Sequence, residues 1–149
     1  MIEFKKIFID TCIFIYFIEQ SSKYIDRVNN FFSYCLLNDI DLNTSSVSFM
    51  EFAVRPYETN STEILLKFKE MLVDFNVSCY NIDMQIAELA AKYRSKNKWL
   101  KGMDVLQIAV ALYSECDSFI TNDASLKKIN ELNVILIDDW INVDIKTDF

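Results

Sequence analysis

The chain has 149 residues, 52% of them hydrophobic, which is enough for one domain with a sizeable core and argues against disorder. It contains no histidine, which excludes Ser–His and Cys–His nucleophiles, histidine general bases and His-ligated zinc. A single glycine excludes glycine-rich phosphate loops. Any catalysis must therefore depend largely on carboxylates, and a metal ion is their expected partner. The net charge of −7 is unfavourable for binding nucleic acid unless positive charge is local or a bound cation supplies it.

The cysteines and the N-terminus indicate the compartment. The four cysteines are widely spaced and form no CxxC pair, which predicts free buried thiols in a reducing environment. The N-terminus lacks a signal-peptide pattern, and no apolar run approaches the roughly 18 residues of a membrane span. We expect a soluble cytoplasmic protein without a membrane segment.

Strands and helices are predicted to alternate along the chain. Ile7, Phe8 and Ile9 predict a first strand that is buried on both faces and ends at Asp10. Further strands are predicted at 41–44, 77–82, 118–121 and 134–137. Helices are predicted at 13–19, at 23–38 and at 48–55, the last ending before Pro56. A fourth is predicted from Ile64, after a capping box at Asn60–Glu63. Three more are predicted from Asp83, from Gly102 and around Leu126, Ile129 and Leu132. This order predicts one α/β domain over residues 1–149, with a mainly parallel sheet covered on both faces.

Four carboxylates occupy one kind of position in this pattern. Asp10 and Asp123 follow strands one and four, while Glu51 and Asp104 are predicted in the first turns of helices. Strand C-termini and helix N-termini share one edge of a doubly wound sheet, so the four acids could converge there. Oxygen ligands without histidine suit Mg²⁺ or Mn²⁺. Taken singly, each acid could instead be a helix cap, Glu51 in a capping box with Ser48 among them.

The four segments that contain these acids resemble, in their order along the chain, the motifs of PIN-domain nucleases, and especially of VapC-type toxins. Ile9-Asp10-Thr11 with Tyr16 resembles the first motif, and Ser48-Phe-Met-Glu51 resembles the helix that bears a lone glutamate. Asp104-Val-Leu-Gln-Ile-Ala-Val-Ala111 and Phe119-Ile-Thr-Asn-Asp123 resemble the third and fourth motifs. Each motif alone is weak, but the ordered set spans nearly the whole chain.

The resemblance implies a fold, a reaction and partners. It implies a three-layer α/β/α sandwich with a five-stranded parallel sheet in the order 3-2-1-4-5. It implies Mg²⁺- or Mn²⁺-dependent endonucleolytic cleavage of RNA, with one or two ions held by Asp10, Glu51, Asp104 and Asp123. Thr11, Thr121 and Asn122 would orient ligands or metal-bound water. It also implies a homodimer and a small antitoxin whose C-terminal segment covers the active site.

One position departs from the family pattern. Many relatives have a further acid two residues after the fourth, and here that position is Ser125. The four-acid set stays complete, but a second, independently occupied metal site is left in doubt.

A basic segment between Lys92 and Lys101 is the candidate RNA contact. Its cations could hold phosphates while Tyr93 and Trp99 stack on bases, or it could be a solvated helix end. Arg55 could contact phosphate or an antitoxin, or form an i,i+4 pair with Glu51. The tentative RNA-binding set is Arg55, Lys92, Arg94, Lys96, Lys98, Trp99 and Lys101.

Other classes of function compete with the toxin hypothesis. A stand-alone PIN nuclease in RNA processing and a decayed RNA- or protein-binding module are the main alternatives, although all four acids are retained. A phosphoryl-transfer enzyme or receiver domain could also place an aspartate after strand one. The second acid of haloacid-dehalogenase-like phosphatases is absent at Cys12, however, and no acidic pair marks a receiver.

Overall fold

Five short strands form one parallel sheet at the centre of the molecule. The computed structural model describes residues 4–140, so the expected domain bounds of 1 and 149 lie outside the described residues. The strands are β1 Lys6–Ile9, β2 Asp41–Ser45, β3 Val77–Tyr80, β4 Ser118–Thr121 and β5 Asn133–Leu136. Their order across the sheet is β3-β2-β1-β4-β5, with every neighbouring pair parallel. The expected fold class and strand order are confirmed.

Helices cover both faces of the sheet. They are α1 Thr11–Ile18, α2 Ile25–Leu37, α3 Ser46–Glu58, α4 Ile64–Asp74, α5 Met84–Lys96 and α6 Gly102–Tyr113. Two short 3₁₀ turns, Ala124–Lys128 and Ile137–Asp139, flank β5. Within residues 4–140, each helix is too short or too polar to span a lipid bilayer.

Alternation along β1 divides the core into two halves. Ile7 and Ile9 point to the face covered by α1 to α4, and Phe8 points to the face covered by α5 and α6. All three side chains are fully buried, as predicted. Phe8 stacks on Phe119 of β4 with 5.0 Å between ring centroids. Burial on both faces stabilises the central strands and fixes their register, because a shift of one residue would exchange the two faces.

Most of the helices end without glycine. Five of them are followed by a residue in the left-handed region, with φ between 51° and 60°: Gln20, Asp39, Asn60, Asn76 and Glu115. The backbone bonds are those of a glycine-terminated helix, as in Ser21 N–H to Tyr16 O at 3.0 Å. The conformation costs about 1–2 kcal/mol for a residue with a side chain. This is how a chain with one glycine makes its tight connections.

Three predictions about α3 and α4 are wrong. Pro56 does not end α3, because it lies in the last turn, where only one intrahelical bond is lost. The N-cap of α3 is Ser45, whose Oγ accepts from Val47 N–H at 3.1 Å, so Ser48 is an interior position and forms no capping box. The predicted box before α4 is also absent, since its N-cap, Glu63, makes no side-chain capping bond.

The helix predicted around Leu126, Ile129 and Leu132 is likewise wrong. The chain makes a 3₁₀ turn that ends at Lys128, and Ile129 is extended, with ψ of 123°. All three side chains are nevertheless buried against α5 and α6. The helical spacing of these three residues therefore predicts correctly that they are buried, but wrongly that they form an α-helix. The predicted third strand also ends earlier, at Tyr80.

Candidate active site

Asp10 lies where β1 ends at the centre of the sheet. Its backbone N–H donates to Ile120 O of β4 at 3.0 Å, so the parallel ladder continues through this residue. Its side chain begins α1: Oδ1 accepts from Thr11 N–H at 2.8 Å, and Oδ2 accepts from the Thr121 hydroxyl at 2.7 Å. The predicted role of Asp10 as a helix cap is therefore real. Both oxygens are fixed by groups that belong to neighbouring strands and to α1.

Two buried threonines link Asp10 to two of the other acids. The Thr11 hydroxyl donates to Glu51 Oε1 at 2.9 Å, while the Thr11 backbone donates to Asp10. The Thr121 hydroxyl donates to Asp10 and accepts from the backbone N–H of Asp123 at 3.1 Å. Thr11 and Thr121 thus contact the acids directly. Asp10, Glu51 and Asp123 are joined in one hydrogen-bonded set.

Glu51 and Asp104 reach this edge from two helices. Glu51 is in the second turn of α3 rather than the first, because the helix begins at Ser46. Ser45 caps α3, so the Glu51 carboxylate is available to Thr11 and remains exposed to solvent. Asp104 is in the first turn of α6, as predicted, and is half-buried.

Asp123 has a structural role as well. Its Oδ1 accepts from the backbone N–H of Ser125 at 3.0 Å and from the Ser125 hydroxyl at 2.7 Å. It therefore caps the 3₁₀ turn that begins at Ala124. Ser125, which occupies the position of a further acid in many relatives, orients Asp123 in this chain.

Burial and the charges of nearby acids disfavour ionisation of Asp10 and Asp104. Burial raises the pKa of Asp10 to about 6, against the bonds from Thr121 and Thr11 that lower it, and the charges of Glu51 and Asp104 raise it further. Burial also raises the pKa of Asp104, with a further contribution from the charge of Asp123 and an opposing one from Lys101. All four carboxyls are therefore within electrostatic reach of another member of the set.

The donor set fits a hard divalent cation. Within residues 4–140, however, no three acidic or thiol side chains converge closely enough to form a ready-made cage. The residues still suit such an ion, since they offer carboxylate oxygens and a buried acid whose ionised form lacks compensation. Burial, followed by the charge of Asp10, raises the pKa of the Cys12 thiol to about 12, so this thiol is protonated at neutral pH in the metal-free chain. All four cysteines are free, as predicted, although Cys79 is exposed.

Among residues 4–140, the Asn122 side chain donates to two tyrosines and makes no hydrogen bond to the four acids. Its Nδ2 donates to the hydroxyls of Tyr16 at 3.2 Å and Tyr24 at 3.0 Å, whose rings stack with centroids 4.2 Å apart. Asn122 therefore fastens the loop after β4 to α1 and α2. The sequence-based prediction missed Tyr24, which has no signal in the local sequence because its partners are distant along the chain.

The basic segment leads to Asp104. Arg94 Nη1 lies 3.4 Å from where a Cβ on Gly102 would stand, so the guanidinium covers the first residue of α6. Lys101 is close enough to lower the pKa of Asp104. Lys92 instead pairs with Glu88 at 3.7 Å, so it is partly neutralised.

The aromatic residues of this segment differ in availability. Trp99 is 40% exposed, and Lys128 Nζ lies 5.3 Å from its ring centroid. Tyr93 packs against the core and donates its hydroxyl to Glu131 Oε2 at 2.7 Å. Of the two, Trp99 is the residue that can stack on a base.

A groove runs beside Glu51 between α1, α3 and α4. Arg55 lies on its rim and pairs with Glu19 at 3.9 Å, rather than with Glu51 as one hypothesis held. The groove has a volume of about 250 Å³. Its apolar lining residues are Ile15, Ile18, Phe52, Pro56 and Ile64. Its charged lining residues are Glu19, Glu51, Arg55 and Lys67.

Comparison with known proteins agrees with this architecture. The family model described as the PIN domain matches residues 7–132, and the chain belongs to that family. No relative was found among curated protein sequences.

Solved structures with the same fold include toxin–antitoxin proteins. VapBC2 from Rickettsia felis, bound to a DNA fragment from its promoter, has a TM-score of 0.71 at 16% identity and covers 88% of this chain and 98% of its own. DNA-bound VapBC from Salmonella typhimurium has a TM-score of 0.68 at 17% identity, covering 89% and 98%. VapC20 of Mycobacterium tuberculosis, a toxin that cleaves the sarcin–ricin loop, has a TM-score of 0.64 at 11% identity, covering 92% and 98%. At these identities the likeness establishes the fold alone.

The raised pKa of Asp10 predicts that this residue destabilises the fold at neutral pH. Its folded-state pKa of about 6 lies above the ordinary value of 3.8, so the folded state binds the additional proton between these values. The contribution of Asp10 to the stability of the parent should fall as the pH rises from about 4 to 6. Asp10→Asn should therefore be more stable than the parent by about 1–3 kcal/mol at about pH 7.5 without metal, and equal to it near pH 4.

Urea unfolding at both pH values in EDTA measures this difference. Asp74→Asn, which neutralises an exposed carboxylate on α4, controls for the change of net charge. If Asp10→Asn were less stable than the parent at neutral pH, the conclusion that the buried Asp10 charge destabilises the fold would be wrong.

Proposed function

We propose that this PIN-domain chain is a Mg²⁺- or Mn²⁺-dependent endoribonuclease and the toxin of a toxin–antitoxin pair. The observation that carries the proposal is the set of acids around Asp10. The Asp10 carboxylate is buried at the end of the central strand, where Thr11 links it to the Glu51 carboxylate and Thr121 links it to the backbone of Asp123. The charge of Asp104 also acts on it. A cation is the simplest compensation for such a cluster.

Asp10, Glu51, Asp104 and Asp123 would hold the metal. When bound, a divalent ion activates water and stabilises charge on the scissile phosphate and the leaving oxygen. The chain's own contribution is orientation. Thr11 and Thr121 each fix two of the groups around Asp10, so its oxygens cannot rotate away from the shared edge.

Positive charge beside the site supports RNA as the substrate. Arg94 lies against Gly102, the first residue of α6, and Lys101 is close enough to Asp104 to lower its pKa. Lys96 and Lys98 are exposed, and within residues 4–140 neither engages in an ion pair. Trp99 offers a partly exposed ring. Cations with an aromatic platform are typical of single-stranded nucleic-acid binding.

The groove beside Glu51 supports the antitoxin as a partner. It combines an apolar lining with charged residues that include Glu51, so an amphipathic segment lying in it would cover that carboxylate. Arg55, on its rim, would contact that segment or an RNA phosphate. The structural neighbours from Rickettsia felis and Salmonella typhimurium are VapBC proteins, which favours a protein partner here. We also infer a cytoplasmic location for the nuclease.

A homodimer is part of the same proposal. Met50, Val54 and Tyr57 are exposed at helical spacing on α3, at 42%, 48% and 63%. Three large apolar side chains on one exposed helix face are consistent with a surface that a second copy of the chain covers.

The nuclease proposal predicts metal-dependent cleavage that requires Asp10. Purified protein should cleave RNA with Mg²⁺ or Mn²⁺ and not with EDTA, and Asp10→Asn should fall to the level of a reaction without protein. Mn²⁺ should raise the melting temperature of the parent but not of the variant, because only the parent binds the ion tightly. Gel analysis of RNA products and thermal unfolding measure the two effects. Equal cleavage by a folded Asp10→Asn variant would refute the site.

The toxin proposal predicts arrest of growth on expression. Induced parent should stop bacterial growth with loss of intact RNA, and Asp10→Asn expressed to the same level should not. Growth curves with RNA analysis measure this. Normal growth despite active purified enzyme would instead support a stand-alone nuclease in RNA processing.

The RNA-contact proposal predicts a change in salt dependence. Reversing Lys96 and Lys98 to Glu should weaken RNA binding and reduce the slope of log affinity against log salt by about 0.7 per lost phosphate contact. Lys5→Glu with Lys69→Glu, which changes net charge equally away from this segment, should keep the parent slope. Fluorescence anisotropy with a single-stranded RNA measures the slopes. Identical slopes for both double variants would reject the segment as the RNA contact.

A further inference from the structure

A buried polar network lies where β2, α3 and α6 meet. Its members are Thr44, Ser45, Ser48 and Gln107, none more than 2% exposed. The Ser45 hydroxyl donates to Gln107 Oε1 at 2.5 Å, and Gln107 Nε2 donates to Ser48 Oγ at 2.6 Å. The Thr44 hydroxyl donates to Ile9 O at 3.0 Å and lies 2.9 Å from Ser48 Oγ. Gln107 is the only member from α6, so it joins that helix to the other two elements.

The network lies one helical turn from the acids. Gln107 follows Asp104 by three residues on α6, and Ser48 precedes Glu51 by three residues on α3. Residues three apart share a helix face, so the contact between Gln107 and Ser48 sets the distance between the turns that carry Asp104 and Glu51. Thr44 extends the link to Ile9, the residue before Asp10.

Packing of α6 against the core does not by itself require an amide side chain at Gln107. The neighbouring residues of α6 that face the core are apolar, among them Val105, Ile108 and Ala109. A buried amide is costly unless both its ends are bonded. Both ends of Gln107 are bonded, and both partners, Ser45 and Ser48, lie at the start of α3, so the amide ties α6 to the helix that carries Glu51. A paired amide of this kind admits one separation of the helices, whereas apolar packing admits several.

We propose that Gln107 is a positioning residue that holds Glu51 and Asp104 at the separation needed to bind one divalent cation with Asp10. The proposal rests on the metal-dependent function proposed above. Gln107 touches neither the metal nor the RNA. It acts through Ser48 and Ser45, and its loss therefore weakens metal binding even though no ligand is removed.

The test is a double-mutant cycle on Mn²⁺ affinity, measured by electron paramagnetic resonance in the full chain without RNA. Gln107→Met, which keeps the volume and removes both bonds, should weaken Mn²⁺ binding about 10- to 100-fold, as is usual for groups that orient metal ligands. In a Glu51→Gln background the same change should have much less effect, because the ligand that Gln107 positions is already lost.

Ser114→Ala is the matched control. Ser114 is a buried polar residue at the other end of the same helix, where its hydroxyl donates to Val110 O at 2.8 Å. This variant should lose stability and keep the parent Mn²⁺ affinity. If Gln107→Met does not fold, Ser48→Ala breaks the same link, and alanine is well tolerated inside a helix. This variant should also bind Mn²⁺ more weakly than the parent.

Three results would overturn the proposal. One is parent affinity in Gln107→Met or, where that variant is unfolded, in Ser48→Ala. Another is an equal loss with and without the Glu51→Gln change, which would indicate a general structural role. A parent protein that binds no Mn²⁺ would refute the metal-dependent function itself and this inference with it. The first two results leave that function standing.

Discussion

The charge of Asp10 is the constraint on which the site depends. This carboxylate ends the central strand, where burial opposes its ionisation and two other acids add repulsion. The backbone N–H of Thr11 and the hydroxyl of Thr121 favour the charged form. The resulting pKa of about 6 means that the folded chain carries an electrostatic cost at neutral pH. A fold under selection for stability alone would place an asparagine or serine cap there.

The rest of the sheet supplies the stability that offsets this cost. Strands β1 and β4 are buried on both faces, and their aromatic and aliphatic side chains form two separate halves of the core. Because β1 and β4 are neighbours, the residues that follow them must meet, whatever those residues are. The apolar strands therefore determine where Asp10 and Thr121 lie, and the polar residues at the strand ends determine what chemistry that edge can perform.

The sequence predicts which edge of the sheet carries the acids more reliably than it predicts the hydrogen bonds that their side chains make. Asp10 directly follows the apolar run of β1, and Asp123 comes two residues after β4, so a position at the carboxyl edge of a parallel sheet was predictable for both. The strand order came from the resemblance to PIN domains, because periodicity does not specify which strands pair. The capping box at Ser48 failed for a physical reason: a Ser-x-x-Glu pattern is a local signal, and Ser45 supplied an equally good cap three residues earlier. Tertiary contacts then took Ser48 into the core.

Other errors have the same origin. Helical spacing at Leu126 and Ile129 reflects a need for burial, which an extended chain can also satisfy. The role of Asn122 depends on Tyr16 and Tyr24, which lie about a hundred residues earlier in the chain, so no local pattern could reveal it. Gln107 left a trace, as a polar residue on an apolar helix one turn after Asp104. Its partners Ser45 and Ser48 were beyond the reach of sequence reasoning.

The negative charge of the chain makes metal and RNA interdependent in the proposed function. With a net charge of −7 and four acids in the proposed site, the metal-free protein would repel phosphate. Arg94 and Lys101 reduce that repulsion at the first turn of α6, but their two positive charges do not neutralise the four carboxylates. A divalent ion among the acids would reverse the local potential while leaving the outer cations to hold the backbone of the strand. RNA affinity of this protein is therefore expected to depend on the occupancy of the carboxylate site as well as on the basic segment, and a partner that covers Glu51 would weaken both together.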